Sequence, residues 1–346
     1  MAPPVVTVIM PVRDGQRWLS EAIDSVLGQT FSDFELLVID DGSTDNTPKI
    51  LAGYQERDAR ARVITQGREG LARALNQGLA QAKGSLIARL DADDAALPER
   101  LRRQILYLDK HPETALLGTW AQVIDEQGRV MRRPLTPATG SDSLTRALAR
   151  MNPFIHSSVM FRASVARELG GYRPAFEAAE DYDLWLRISE VSGIAILPEV
   201  LVRYRRHATN VTKTRAVRQV FSVRLAKLAS EARRRSGSDP AATLTAPPDW
   251  HAKQDDTFYA DSAKLCRVLE LADPEIAART DPSSIDLGVV SGRIADLSPA
   301  ERRLAQFALV NLIRRRVRLP RLNMYRLLLL FFRLHPTRAL MLWRQG

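Results

Sequence analysis

The chain has a single cysteine, Cys266, so an intramolecular disulfide is excluded and a reducing compartment is the expectation. It has no apolar run approaching the about 18 residues that a membrane-spanning helix needs. The first residues, Met1-Ala2-Pro3-Pro4-Val5, lack both the basic and the long apolar segment of a signal peptide. No Gly-x-Gly-x-x-Gly follows the first apolar run, and no Gly-rich P-loop with its Lys-Ser/Thr ending occurs anywhere. Dinucleotide-binding and P-loop readings therefore lose their main support. Acid disappears towards the end: none follows Glu301, while eleven arginines occur from Arg302 to Arg344. These absences lead to the expectation of a cytoplasmic protein with a basic far end.

What is present is ordinary in amount and unusual in placement. Among 346 residues, 45% are apolar and 26% charged, the balance of a globular protein large enough for two domains. Lys and Arg outnumber Asp and Glu by 50 to 40, and the net charge of +10 suits an anionic membrane surface, anionic substrates or nucleic acid. Nucleic acid is set aside, because no basic sheet with interleaved aromatics and no reading-helix motif is found.

The first half alternates short apolar runs with amphipathic ones. Val5–Met10, Phe34–Ile39, Ala61–Ile64 and Leu86–Leu90 read as buried strands, and Trp18–Leu27 and Gly70–Ala82 as helices. Thr47 reads as an N-cap, with Pro48 at the first helical position. This alternation predicts an α/β protein with a doubly wound, mostly parallel sheet. Ala115–Ile124 and Val200–His207 read as further strands, and Pro98–His111 as a helix whose Arg100, Arg102 and Arg103 form a solvated face.

The acids sit where such a sheet binds ligands, beyond the carboxyl ends of its strands. The strand Leu86–Leu90 runs into Asp91-Ala92-Asp93-Asp94. Asp91 and Asp93, two apart in extended chain, project to one side and could share a hard cation such as Mg²⁺ or Mn²⁺; Asp94 reads as a helix cap. The strand Phe34–Ile39 runs into Asp40-Asp41-Gly42-Ser43-Thr44-Asp45, where a carboxylate can accept from a nucleobase N–H or a ribose hydroxyl. A third group, Glu180-Asp181-Tyr182-Asp183, opens an apolar-faced helix, and a carboxylate there could serve as general base.

Taken together, Val8-Ile9-Met10-Pro11-Val12, Leu37-Val38-Ile39-Asp40-Asp41-Gly42-Ser43-Thr44-Asp45 and Ala88-Arg89-Leu90-Asp91-Ala92-Asp93-Asp94 resemble a family 2 glycosyltransferase of GT-A fold, over roughly residues 5 to 210. The resemblance implies an inverting, metal-dependent enzyme using a nucleotide-diphosphate sugar. It implies that Asp41 reads the base, with Pro11 and Arg13 lining its pocket and Asp40 beside it. Asp91 would face ribose and metal, and Asp93 would ligate the metal. His207 would turn to the metal, and Arg203 or Arg205 to the diphosphate, which an arginine fork fits well. Asp181 matches the catalytic base, with Glu180 in reserve, and His156 falls on the acceptor side. One departure is Arg13-Asp14, where many members carry Tyr-Asn.

After residue 212 the composition shifts, giving an expected division into a catalytic domain, 1–212, and a helical, Arg-rich region, 213–346. Val217–Arg235, Phe258–Leu271, Ile276–Ala278 and Pro299–Arg316 read as helices, with Ser298 capping the last. Met324–Leu334, apolar with interspersed arginine, reads as an amphipathic helix lying on an anionic leaflet, each basic residue adding about 1 kcal/mol. Such a tail would suit a peripheral enzyme on the inner face of a membrane, with a lipid-linked or cell-surface glycan as acceptor. The rival readings are a metal-dependent nucleotidyltransferase, whose Gly-rich loop after the first strand is poorly matched here, and a non-catalytic membrane-surface protein of the same fold.

Overall fold

Apolar runs without alternation become strands buried on both faces. A computed structural model describes residues 2–131, 134–137, 140–208, 215–252, 257–280, 287–291 and 296–314. The chain divides into two compact units, residues 1–214 and 215–346. The expected boundary at 212 lies outside the described residues.

The first unit begins β1 (Val6–Val12), α1 (Leu19–Leu27), β2 (Phe34–Asp41), α2 (Thr47–Arg57), β3 (Ala61–Gln66), α3 (Leu71–Gln81) and β4 (Leu86–Arg89). It continues with β5 (Ala95–Ala96), α4 (Arg100–Lys110), β6 (Thr114–Ile124), α5 (Ser141–Arg150), β7 (Met160–Arg162), α6 (Ala163–Glu168), α7 (Glu180–Val191) and β8 (Gly193–Arg205). Eight strands form one sheet in the order β3-β2-β1-β4-β7-β6-β8-β5. Every residue of β1, β2 and β4 is buried. Helices on both faces account for this: Val8, Met10 and Val38 share one core with Leu19, Ile23 and Leu101. On the opposite face Gly78 of α3 lies so close to β1 that a Cβ would come within 2.7 Å of Ile9.

The sheet is α/β as expected, but less parallel than alternation alone suggests. Strands β1–β2, β2–β3, β1–β4 and β6–β8 pair parallel, whereas β4–β7, β6–β7 and β5–β8 pair antiparallel. The short β7 enters beside β4 after a chain excursion through β6, and nothing in its local sequence encodes that direction. The switch point lies at β1, between β2 and β4. The β1–β4 register ends at Ile9, and Pro11, with no N–H to donate, stands just beyond it.

Two local expectations are corrected. Arg100 is not on a solvated face but 1% exposed, donating through Nη2 to the carbonyls of Arg89 (2.7 Å) and Val159 (3.1 Å); burial presses its pKa down to about 9. Arg102 and Arg103 are exposed and pair with Glu99 and Glu199. The helix near Thr47 starts at Thr47 itself, with Asp45 Oδ1 accepting its N–H at 2.9 Å.

The second unit is helical: α8 (Ala216–Ser236), α9 (Ala260–Leu269), α10 (Pro274–Arg279), α11 (Gly288–Ser291) and α12 (Pro299–Arg314). Gly237, at φ 70°, closes α8 by bonding back to Arg233. Ser298 and Glu301 cap α12 reciprocally through Ser298 N–Glu301 Oε2 (2.6 Å) and Glu301 N–Ser298 Oγ (3.3 Å). Phe221, Trp250 and Tyr259 form an aromatic cluster, and Cys266 is buried. Among the described residues, no helix is long and apolar enough to cross a membrane. The amphipathic segment Met324–Leu334, with every arginine from Arg315 to Arg344, lies outside the described residues.

Candidate functional site

The end of β4 carries its acids into a tight turn, closed by Asp94 N donating to the Asp91 carbonyl at 3.2 Å. The turn brings one oxygen each from Asp91, Asp93 and Asp94 within 4.8 Å of one another. Asp91 Oδ1 accepts from Arg89 Nη2 at 2.7 Å, and Asp91 Oδ2 from Ser157 Oγ at 2.8 Å. Burial works to raise the Asp91 carboxyl, yet the charge of Arg89 and the hydrogen bonds from Arg89 and Ser157 hold it below the usual range. Asp93 Oδ2 lies 2.8 Å from His207 Nε2.

Asp94 is the member that sequence reasoning missed, since it reads there as a helix cap. It is 1% exposed; Oδ1 accepts from Arg205 N at 2.7 Å, and Oδ2 is buried with no hydrogen-bond partner among the described residues. Burial, then the charges of Asp93 and Asp91, pushes its carboxyl well above the usual range. Three acids in four residues were the available signal. Crowded carboxylates with one buried oxygen unsatisfied fit a hard divalent cation such as Mg²⁺ or Mn²⁺, whose ligands are oxygens.

Strand β8 holds this turn from the side. Ala95 and Ala96 pair antiparallel with Arg203 and Val202, which sets Arg205 and His207 against the acids. The His207 ring lies 4.5 Å from the Trp18 ring, and Trp18 Nε1 donates to the Glu126 carbonyl at 3.2 Å. Arg205 does not present a free fork for a diphosphate. It is 1% exposed, and its guanidinium donates to Glu21 (2.6 Å) and to the carbonyls of Asp93 (2.8 Å) and Asp125 (3.1 Å). It is a strut that joins α1, the acidic turn and the turn after β6. Arg203 is exposed.

The ends of β1 and β2 form the neighbouring wall. Asp41 Oδ1 accepts from Gln66 Nε2 and Glu69 N, both at 2.8 Å, and Oδ2 accepts from Gly70 N at 3.0 Å. The loop before α3 thus rests on Asp41, and Oδ2 keeps the freer lone pair. Asp40 is buried and accepts from Ser43 N at 3.0 Å. Gly42 makes the turn at φ 72°, where a Cβ would meet Arg68 N at 3.2 Å. Pro11 is buried at this edge, while Arg13 is exposed beside Asp14 at 3.7 Å.

The third group opens α7. Asp181 is half-buried: Oδ1 accepts from Tyr182 N at 2.7 Å and Oδ2 from Asn152 Nδ2 at 2.8 Å. Burial lifts its pKa to about 6, and Asp91 pushes the same way. Glu180 is 5% exposed; burial, then the charge of Asp181, lifts its carboxyl to about 8. Asp183 is fully buried between Arg173 and Arg187, the latter at 2.7 Å. His156, half-buried, lies 3.3 Å from the Tyr172 hydroxyl, and burial, then Arg89, depresses its pKa. Asn152 and Arg89 escaped sequence reasoning, because no spacing rule links them to Asp181 or Asp91 beyond the i, i+2 placement of Arg89.

Residues 7–170 match the model of the family described as Glycosyl transferase family 2. The O-antigen biosynthesis glycosyltransferase WbnJ of Escherichia coli is 36% identical over 214 residues, covering 61% of this chain and 83% of WbnJ. The amylovoran biosynthesis glycosyltransferase AmsE of Erwinia amylovora is 35% identical over 202 residues, 57% of this chain and 74% of AmsE. Among solved structures, S. aureus TarS 1-349 in complex with UDP-GlcNAc superposes with a TM-score of 0.55 at 16% identity, covering 91% of this chain and 92% of that one. The mannosyltransferase PcManGT from Pyrobaculum calidifontis, in complex with GDP-Man and Mn²⁺, gives 0.53 at 19% identity, covering 91% and 87%. The structural likenesses concern the fold, and the sequence matches carry the kinship. With acids at three neighbouring strand and helix ends and these relatives, the chain belongs to the family 2 glycosyltransferases.

Proposed function

We propose that the protein transfers a hexose-type sugar, with inversion, from a nucleotide-diphosphate donor to a hydroxyl of a glycan or lipid-linked acceptor. The observation that carries the reading is the pairing of two unlike acidic groups. One is a carboxylate cluster with an unsatisfied buried oxygen; the other is a half-buried carboxylate raised to about 6, with no ion pair among the described residues. The complexes of TarS with UDP-GlcNAc and of PcManGT with GDP-Man and Mn²⁺ lend support.

In this reading Asp41 Oδ2 accepts from the donor base, with Pro11, Arg13 and Asp40 shaping the same pocket. Asp91, Asp93 and Asp94 would hold a divalent cation, with His207 supporting Asp93. A bound Mg²⁺ or Mn²⁺ offsets the charge that gathers on the departing nucleotide diphosphate. Asp181 takes the proton from the acceptor hydroxyl as its oxygen bonds to the anomeric carbon and the bond to the β-phosphate oxygen breaks. General-base assistance of this kind is worth about 10² to 10⁴-fold. Exposed Arg203 stays the available phosphate partner, whereas Arg205 supports the turn. His156 borders the acceptor side. The enzyme would work at the inner face of a membrane through its basic tail.

A panel of nucleotide sugars, each with and without Mn²⁺, tests the reading by thermal shift. The true donor raises Tm only when the cation is present. Asp181→Asn should then lower kcat by about 10² or more while leaving that donor-dependent shift intact. Turnover unaffected by Asp181→Asn would sink the assignment.

A further inference from the structure

Residues Asn152 to Ser157 touch both acidic groups. At one end Asn152 Nδ2 donates to Asp181 Oδ2 at 2.8 Å. At the other, Ser157 Oγ donates to Asp91 Oδ2 at 2.8 Å and accepts from Asp91 N at 3.0 Å. The Asn152 amide has only one sensible orientation. Its Oδ1 accepts from Phe154 N at 3.0 Å, so the NH₂ end must face Asp181.

The chain between these contacts is pinned to the core. Phe154 is 5% exposed, lies 6.4 Å from Trp185 between ring centroids, and covers Gly118 so closely that a Cβ there would come within 2.7 Å of it. His156 sets its ring edge-on to Trp185 at 5.9 Å. Ser158 closes the turn by donating N and Oγ to the Ile155 carbonyl, both at 2.8 Å. Neither end of the segment can shift without disturbing packed aromatic contacts.

We propose that Asn152–Ser157 is a bracket that sets the acceptor-side base against the donor-side carboxylate, with Asn152 and Ser157 as positioning residues acting through Asp181 and Asp91. The inference rests on Asp181 being the base. In-line attack has a narrow geometric tolerance, and a displacement of about 1 Å can cost about 10²-fold. Asn152 holds the Asp181 carboxylate while leaving a second lone pair on Oδ2 for the acceptor proton. Its N–H also favours the ionised form against burial. The other groups acting on Asp181 are Glu180 from its own helix, Tyr172 from the preceding turn, and Arg89 and Asp91 from the end of β4.

The two ends of the bracket predict separable defects in the enzyme. Asn152→Ala should lower kcat about tenfold, leave the donor KM unchanged, and move the acidic limb of the kcat–pH profile upward. Asn152→Asp, nearly isosteric, should move that limb further by placing a second carboxylate beside the first. Ser157→Ala should leave the limb in place and weaken Mn²⁺ binding, read directly by electron paramagnetic resonance, at least threefold. The Asn152→Asp arm holds the packing constant should the alanine variant fold poorly. An acidic limb that superimposes on wild type in both Asn152 variants, or an unaltered Mn²⁺ affinity in Ser157→Ala, overturns the proposal. Full turnover by Asp181→Asn would instead overturn the base assignment beneath it.

Discussion

Glu180 and Asp181 are adjacent in sequence, yet burial separates their behaviour. Glu180, the more enclosed, is raised to about 8 and Asp181 to about 6. Near neutral pH the pair as a unit therefore holds a proton, with the higher value on the more enclosed Glu180. A base must be ionised, so with Asp181 as the proposed base kcat should fall as pH drops through about 6, and Glu180, raised further, should contribute little as a base at pH 7. Glu180→Gln should consequently retain most of the wild-type kcat at pH 7. Stability moves the opposite way to the usual paired carboxylate. With its native pKa above the unfolded value, the Glu180 carboxyl costs more as pH rises from about 4.5 to about 8. The Tm gain of Glu180→Gln over wild type should widen across that interval, and calorimetry at several pH values checks it. At the same scale, Arg205 is committed to the protein itself: its hydrogen bonds join three segments of the fold.

At the scale of elements, α7 combines the proposed base at its first turn with anchorage one residue pair later. Asp183 is fully buried and pairs with Arg173 and Arg187, while Arg187 also donates to the carbonyls of Leu169 (2.6 Å) and Gly171 (2.7 Å). Asn76 of α3 grips the same turn from the other side, exchanging hydrogen bonds with Tyr172 N (2.8 Å) and the Tyr172 carbonyl (2.7 Å). Removing one partner of a buried ion pair leaves charge uncompensated, at a cost of about 3–5 kcal/mol. Asp183→Asn should therefore lower the unfolding free energy by that order in denaturant titration, with an accompanying loss of turnover. Asp181→Asn should lose turnover with its Tm unchanged or raised. Helix position alone makes Asp181 and Asp183 look alike; their partners distinguish the proposed base from a brace. The direction of β7 belongs here as well, because β7 lies antiparallel between β4 and β6 and so brings the preceding Asn152–Ser157 beside β4.

On the scale of the whole molecule, charge is unevenly distributed. No acid follows Glu301, and eight of the eleven terminal arginines fall at Arg315 and beyond. Opposed to an anionic leaflet, each contributes about 1 kcal/mol near the surface. The full chain should cosediment with phosphatidylserine-containing vesicles, release as salt is raised, and ignore neutral vesicles. Removal of residues 315–346 should abolish cosedimentation while leaving donor-dependent thermal shift in place. Binding that survives the truncation would assign the membrane contact elsewhere.

The sequence by itself determined the α/β class and the strands β1, β2 and β4. It also located the acids at Asp41, Asp91–Asp94 and Glu180–Asp181, because strand burial and the abrupt change to carboxylates are local patterns. Tertiary structure alone decided which carboxylate has an orphaned oxygen, which arginine is a strut, and which backbone segment ties Asp181 to Asp91. Asp94 meets Arg205 across 111 positions of chain, and Ser157 meets Asp91 across 66. Periodicity carries no information over such separations, since burial and hydrogen-bond partnership are properties of the packed chain and not of its neighbours in sequence.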